Sequence, residues 1–167
     1  MKTRRVPVGT LSNPWVLMAT GFGAGLTPKA PGTFGTLLAL PFFVVAAYAG
    51  WVTFAIVLIV MLGTGIVICD QAAKVMGVKD PGSIVWDEFV GMGITVFGLA
   101  PIVSLGDALW WLIAFVLFRI FDIAKPWPVR YFDEWSGGLG IMLDDVAAGL
   151  YALCCLQLMI LVHGLLS

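Results

Sequence analysis

The sequence predicts an all-α fold, an integral membrane helical bundle with about five membrane-embedded helices plus a short N-terminal helix. Three observations predict it. Of 167 residues, 60% are hydrophobic and only 11% charged, and the mean hydropathy of +1.02 lies outside soluble globular norms. Several apolar windows approach the ~20 residues that cross a bilayer. All nine Lys and Arg residues fall on or beside one side of the helix plan those windows define. A chain of this length makes a single membrane-embedded domain, residues 1–167, because two would leave neither with an adequate core.

Taken in order, Met1 to Asn13 is basic through Lys2, Arg4 and Arg5, but no compact apolar region with a small-residue cleavage site follows. A removed signal peptide is therefore not expected. Pro14 to Leu26 is apolar, short and rich in glycine (Gly21, Gly23, Gly25), which suits a buried or interfacial helix that does not cross. Spans are expected at Thr33–Ala49, Trp51–Cys69, Ile84–Ala100, Ala108–Phe121 and Val146–Val162. On this plan the N-terminus, the loop Asp70–Ser83 and the segment Lys125–Asp145 share one side. The turn Tyr48–Gly50, the loop Pro101–Asp107 and the C-terminus share the other. The positive-inside rule makes the first side cytoplasmic. A net charge of −1 points to no nucleic-acid partner.

Six of the ten acidic residues, Asp70, Asp87, Glu88, Asp122, Asp144 and Asp145, stand in or beside membrane-grade apolar sequence. A carboxylate at the bilayer centre costs about 2.5–3.5 kcal/mol on insertion scales, so such groups pair, bind ions or do chemistry. In Asp80-Pro81-Gly82-Ser83-Ile84-Val85-Trp86-Asp87-Glu88, Asp80 is placed to cap a helix that starts at Pro81, with Ser83 and Asp87 on one face. In Gly137-Gly138-Leu139-Gly140-Ile141-Met142-Leu143-Asp144-Asp145, a glycine-rich turn opens a helix whose first turns carry two acids. Ion pairing would explain the first pair without function, and the helix dipole would explain one acid of the second.

Arg119, Asp122 and Lys125 recur at three-residue spacing, and Pro126 and Pro128 end that helix. The plain reading is an intrahelical salt-bridge stripe. The chemical one makes Arg119 and Lys125 a phosphate clamp that Asp122 steadies. The loop Thr27–Thr36 can offer backbone N–H groups and hydroxyls, Gly32 and Thr33 among them, to an anion at a helix N-terminus. No Walker or dinucleotide fingerprint is present. Cys69, Cys154 and Cys155 form no CxxC pair and read as small hydrophobes, and the lone His163 as a packing or interfacial residue. Carboxylates without His or Cys favour a hard ion, Mg²⁺ before Zn²⁺. Two cations, a Gly-Thr loop and a membrane favour a phosphorylated lipid. Aspartates 87, 144 and 145 with Glu88 would hold the metal, and with Asp122 would form the catalytic set.

Four stretches, GFGAGLTPKAPGTFGTL, DPGSIVWDEFVGM, FRIFDIAKPWPVR and GGLGIMLDDVAAG, resemble the bacterial phosphatidylglycerophosphatase A family in order, from about Asn13 to Gly149. The resemblance implies a Mg²⁺-dependent phosphatase of the bacterial inner (cytoplasmic) membrane that converts phosphatidylglycerophosphate to phosphatidylglycerol, with a cytoplasm-facing site. It also implies a bundle in which one central helix is surrounded by others. Asp87, Glu88, Asp122, Asp144, Asp145, Arg119 and Lys125 match its motifs; Lys29 and Asp70 stand outside that set. A CDP-alcohol phosphotransferase would need an Asp-Gly-x-x-Ala-Arg run, a phosphohistidine-type lipid phosphatase catalytic histidines, and a haloacid-dehalogenase phosphatase Asp-x-Asp after a strand; all are lacking. A non-enzymic cation transporter would spread its acids through the midplane, whereas these gather at one end. Sequence leaves oligomeric state, one or two Mg²⁺ ions, and water or Asp as nucleophile open.

Overall fold

The computed structural model describes residues 8–79, 81–99 and 108–166, and these are helical throughout apart from turns. After a 3₁₀ turn at Val8–Ser12 come α1 (Pro14–Ala19), a second 3₁₀ turn (Ala24–Leu26), α2 (Pro31–Tyr48) and α3 (Trp51–Met76). The chain continues with α4 (Trp86–Phe97), α5 (Ala108–Ala124), α6 (Val129–Asp133) and α7 (Gly137–Leu166). The loop Pro101–Asp107 and Asp80 lie outside the described residues. Asn13 caps α1 by accepting from Trp15 N–H at 3.0 Å, and Pro14 occupies its first position. Gly77 in the left-handed region closes α3.

Three helices, α2, α3 and α7, are long and apolar enough to cross a bilayer, and only 28% of each qualifying window is buried in the protein. The remainder presents Leu37, Val45, Ile59, Val60, Leu158 and Leu161 outward, as lipid requires. The central helix is α4, packed by α2, α3, α5 and α7. Its 12 residues rise about 18 Å, short of a 30 Å hydrocarbon core. A full crossing at Ile84–Ala100 is therefore not what the described residues form. Because its neighbours wrap it, α4 can end inside the bundle without exposing backbone to lipid.

Close approach rather than bulk holds α4 against α7. A Cβ at Gly149 would stand 2.5 Å from Gly91 O, and one at Gly91 would stand 2.7 Å from Asp145 O. Thr95 hydroxyl, buried in this seam, donates to Gly91 O at 2.9 Å and to Gly149 O at 3.4 Å. Below it, Phe43, Phe54 and Phe97 stack in sequence with ring centroids 5.1 and 5.8 Å apart.

Two local expectations are overturned. No helix begins at Pro81. Ile84 N–H donates to Pro81 O at 2.8 Å in a turn, Val85 N–H donates to Ala19 O at 2.8 Å, and α4 starts at Trp86. The β-branched pair Ile84-Val85 is poor helix material, and its bond to α1 replaces a helical one, so Ser83 and Asp87 share no helix face. Conversely, α7 begins at Gly137, well before the acids. Asp144 is its eighth residue, beyond the first turn in which the dipole acts.

Candidate active site

Five elements bring their polar residues to one end of the bundle. Asp87 and Glu88 occupy the first turn of α4, where the dipole favours acids, and Asp87 Oδ1 accepts from Glu88 N–H at 3.1 Å. Carboxylate oxygens of Asp87, Glu88 and Asp145 lie within 4.8 Å of one another, although more than fifty residues separate α4's pair from Asp145. Asp122 comes within hydrogen-bonding reach of Asp145. Against these four carboxylates stands one guanidinium. Arg119 Nη1 bonds Asp122 Oδ2 at 2.6 Å and donates to Thr36 Oγ1 at 3.3 Å. Thr36 in turn donates to Gly32 O at 2.8 Å, so α2 is tied to α5 through this chain.

Gly32 is buried in the wall of the site. A Cβ there would run into Glu88 Oε1 and stand 3.2 Å from Arg119 Nη1. Thr33, half-buried, follows it in the first turn of α2. The N–H groups of Gly32 and Thr33 belong to the first turn, which has no intrahelical acceptor for them.

Asp144 does not join the metal-type cluster. The step of about 100° between adjacent helical residues turns it toward Lys125, whose Nζ it meets at 2.8 Å. Lys125 also pairs with Asp133 at the end of α6. Burial opposes the Lys125 charge, but the Asp133 and Asp144 carboxylates outweigh it and hold the pKa above the ordinary lysine value. Lys125 lies past the end of α5 with φ +42°, so the expected stripe with Asp122 is half formed: Arg119–Asp122 is made, and Lys125 pairs elsewhere. Pro126 accounts for the break, since it disfavours helical geometry in the residue before it.

Asp70 lies off the cluster. It pairs with Lys74 at 2.6 Å and accepts from Gly138 N–H at 3.3 Å, which caps α7. Lys29 is exposed. Asp133 and Thr36 had no helical-spacing signal to single them out, although Thr36 stands one turn from Gly32 within the same loop-and-helix tract.

The charge-free run Trp51–Cys69 of α3 covers about 28 Å, and Asp70 is the first charge after it. Gly138 N–H bonds Asp70, and Asp145 lies seven residues further along α7, about 10 Å along its axis. Glu88 Oε2, Arg119 Nε and Asp144 Oδ1 are buried without a hydrogen-bond partner among the described residues. Orphaned groups of this kind cost free energy unless a ligand meets them. The set fits a hard divalent ion: clustered oxygen donors, excess negative charge and an unpartnered carboxylate oxygen.

Fold and site together define a membrane-embedded helical protein with a carboxylate-rich site at one end of its bundle. The family model for phosphatidylglycerophosphatase A matches residues 17–160, and the chain belongs to that family. It is 49% identical over 140 residues to phosphatidylglycerophosphatase A of Escherichia coli K12, covering 83% of this chain and 79% of that protein. The Haemophilus influenzae protein of the same name is 48% identical over 145 residues, 86% of each chain. A Bacteroides thetaiotaomicron protein, provisionally named a phosphatidylinositol-3-phosphatase, is 40% identical over 145 residues, 82% of this chain and 87% of that one. No solved structure matches the chain.

Proposed function

We propose that this chain hydrolyses the terminal phosphomonoester of phosphatidylglycerophosphate to give phosphatidylglycerol and inorganic phosphate. The observation that carries the reading is the meeting of Asp87, Glu88 and Asp145 within 4.8 Å beside a half-buried arginine whose buried Nε has no hydrogen-bond partner among the described residues. Asp87, Glu88 and Asp145 are the residues that would hold Mg²⁺, which would supply charge neutralisation at the phosphoryl oxygens.

The chain's own groups do the rest. Arg119, fixed by Asp122 and Thr36, turns its remaining donors to the phosphate and offsets charge that develops in transfer. The free N–H groups of Gly32 and Thr33 add donors from the α2 N-terminus. Asp87 takes the proton of the attacking water as the phosphorus–oxygen bond to the lipid breaks, and the leaving alkoxide takes a proton from solvent water, which regains the one held by Asp87. Lys125 keeps Asp144 neutralised beside Asp145 and lends charge at the mouth. The Gly91–Gly149 seam closes the site from below.

The site faces the cytoplasm from the bacterial inner membrane, since Lys74, Lys79, Arg119 and Lys125 share its end of the bundle. Purified protein should release phosphate from phosphatidylglycerophosphate in Mg²⁺ and stop on chelation. Faster release from phosphatidylinositol 3-phosphate would reassign the substrate, and release from neither would end the enzymic reading. A Lys79→Cys variant should resist impermeant maleimide in intact cells; labelling from outside would reverse the orientation.

A further inference from the structure

Between α5 and α7 the chain makes a short strap, residues 125–136, bonded to Asp144 beside the site. It is tied down at three points. Lys125 bridges Asp133 and Asp144, Tyr151 hydroxyl donates to Trp127 O at 3.0 Å, and Lys79 Nζ donates to Glu134 O at 3.1 Å. None of these bonds uses an aromatic side chain of the strap itself. Trp127 is 80% exposed, Tyr131 53% and Trp135 41%, and the last two rings meet edge-on at 5.8 Å. Trp127 is thus more open than Tyr48 and Trp51 at the opposite end of the bundle, where a membrane boundary needs such rings.

We propose that this strap is a lipid-docking surface: Trp127, Tyr131 and Trp135 seat in the headgroup layer of an anionic membrane, with Arg130 and Lys79 against its phosphates. Three facts select a lipid surface. The strap follows directly on the apolar α5 and leads into α7, whose Gly138 bonds Asp70, the first charge after the apolar run of α3. The helices it joins present exposed apolar side chains close to it in the chain, Ile120 and Ile123 on α5 and Leu139 on α7. Arg130 and Lys79 are exposed beside the rings, which suits anionic headgroups. Rigid aromatic rings with polar edges occupy that layer, and the ties beneath keep them aimed there.

The docked strap fixes the height of Lys125 and Asp144, so it presents the site to lipid lying in the membrane plane. Only the identity of the favoured lipid rests on the proposed reaction. The test uses the full-length protein in phosphatidylcholine vesicles with and without phosphatidylglycerol, comparing wild type with Trp127→Phe. The Trp127 component of the emission should be quenched by a spin label near the headgroup and shielded from aqueous iodide, more so with phosphatidylglycerol present. An iodide-accessible Trp127 indifferent to the lipid label would overturn the proposal. So would shielding that appears only as protein concentration rises, which would mean a second copy covers the rings. In turnover, Trp127→Ala with Trp135→Ala should raise the surface KM about fivefold with kcat within about twofold, while the double Phe variant stays near wild type. A fall in kcat at constant KM would make the strap merely structural and sink the idea. Should wild type release no phosphate, the reaction is wrong, and quenching alone decides the docking.

Discussion

Gly32→Ala separates function from folding more cleanly than any carboxylate substitution. The added methyl would enter the space of Glu88 Oε1 and stand 3.1 Å from its Cδ and 3.2 Å from Arg119 Nη1. Both are far ends of flexible side chains, so they can retreat, and the helix itself gains slightly from the alanine. Stability should therefore change by less than about 1 kcal/mol. Retreat on the order of 1 Å at reacting groups is costly, however, and loses about 10²-fold in rate. The assay is phosphate release from phosphatidylglycerophosphate in mixed micelles across a Mg²⁺ titration, alongside thermal unfolding. Gly63→Ala is the control, because a Cβ there meets nothing within 4 Å and the position lies on an exposed face of α3. Wild-type turnover in Gly32→Ala at unchanged Mg²⁺ dependence would show that Glu88 and Arg119 are not where the chemistry happens.

Asp145→Asn should lose activity by weakening the carboxylate set, with partial recovery at high Mg²⁺ or with Mn²⁺; a loss insensitive to metal would remove Asp145 from that set. Arg119→Lys should keep its metal dependence and lose about 10²-fold in kcat, because a lysine cannot reproduce the planar fork between Asp122, Thr36 and phosphate. Lys125→Met should cost more stability than Lys74→Met, read as a larger drop in unfolding temperature, since it strands the buried Asp144 whereas Lys74 is an exposed partner. Gly149→Leu should disrupt the α4–α7 seam and lower stability by about 1–3 kcal/mol, measured by unfolding in detergent.

Long apolar runs were legible because lipid imposes a simple rule on composition: α2, α3, α5 and α7 overlap the expected spans residue for residue over most of their length. The convergence of Asp87 and Glu88 with Asp145 could be inferred from cost, since neither pair is tolerable in an apolar frame alone. What escaped the sequence is decided by contacts between segments. The start of α4 at Trp86 depends on a bond from Val85 to Ala19, and the diversion of Asp144 away from Asp145's partners depends on where Pro126 throws Lys125. Adjacent aspartates on a helix point about 100° apart, so at most one of the two was ever going to face the cluster directly. Asp133 was invisible because its role arises from a loop that folds back, not from any period.

The seam beneath the site has a consequence for the cell rather than for the reaction. Acidic side chains within a membrane-embedded bundle, if open to water on both sides, would form a leak for protons and metal ions down the membrane potential. Gly91 and Gly149 bring two backbones into contact directly under the carboxylates, and the rings of Phe43, Phe54 and Phe97 fill the way beyond. With that seam and those rings packed beneath the carboxylates, the bundle keeps the bilayer electrically tight around a charged site.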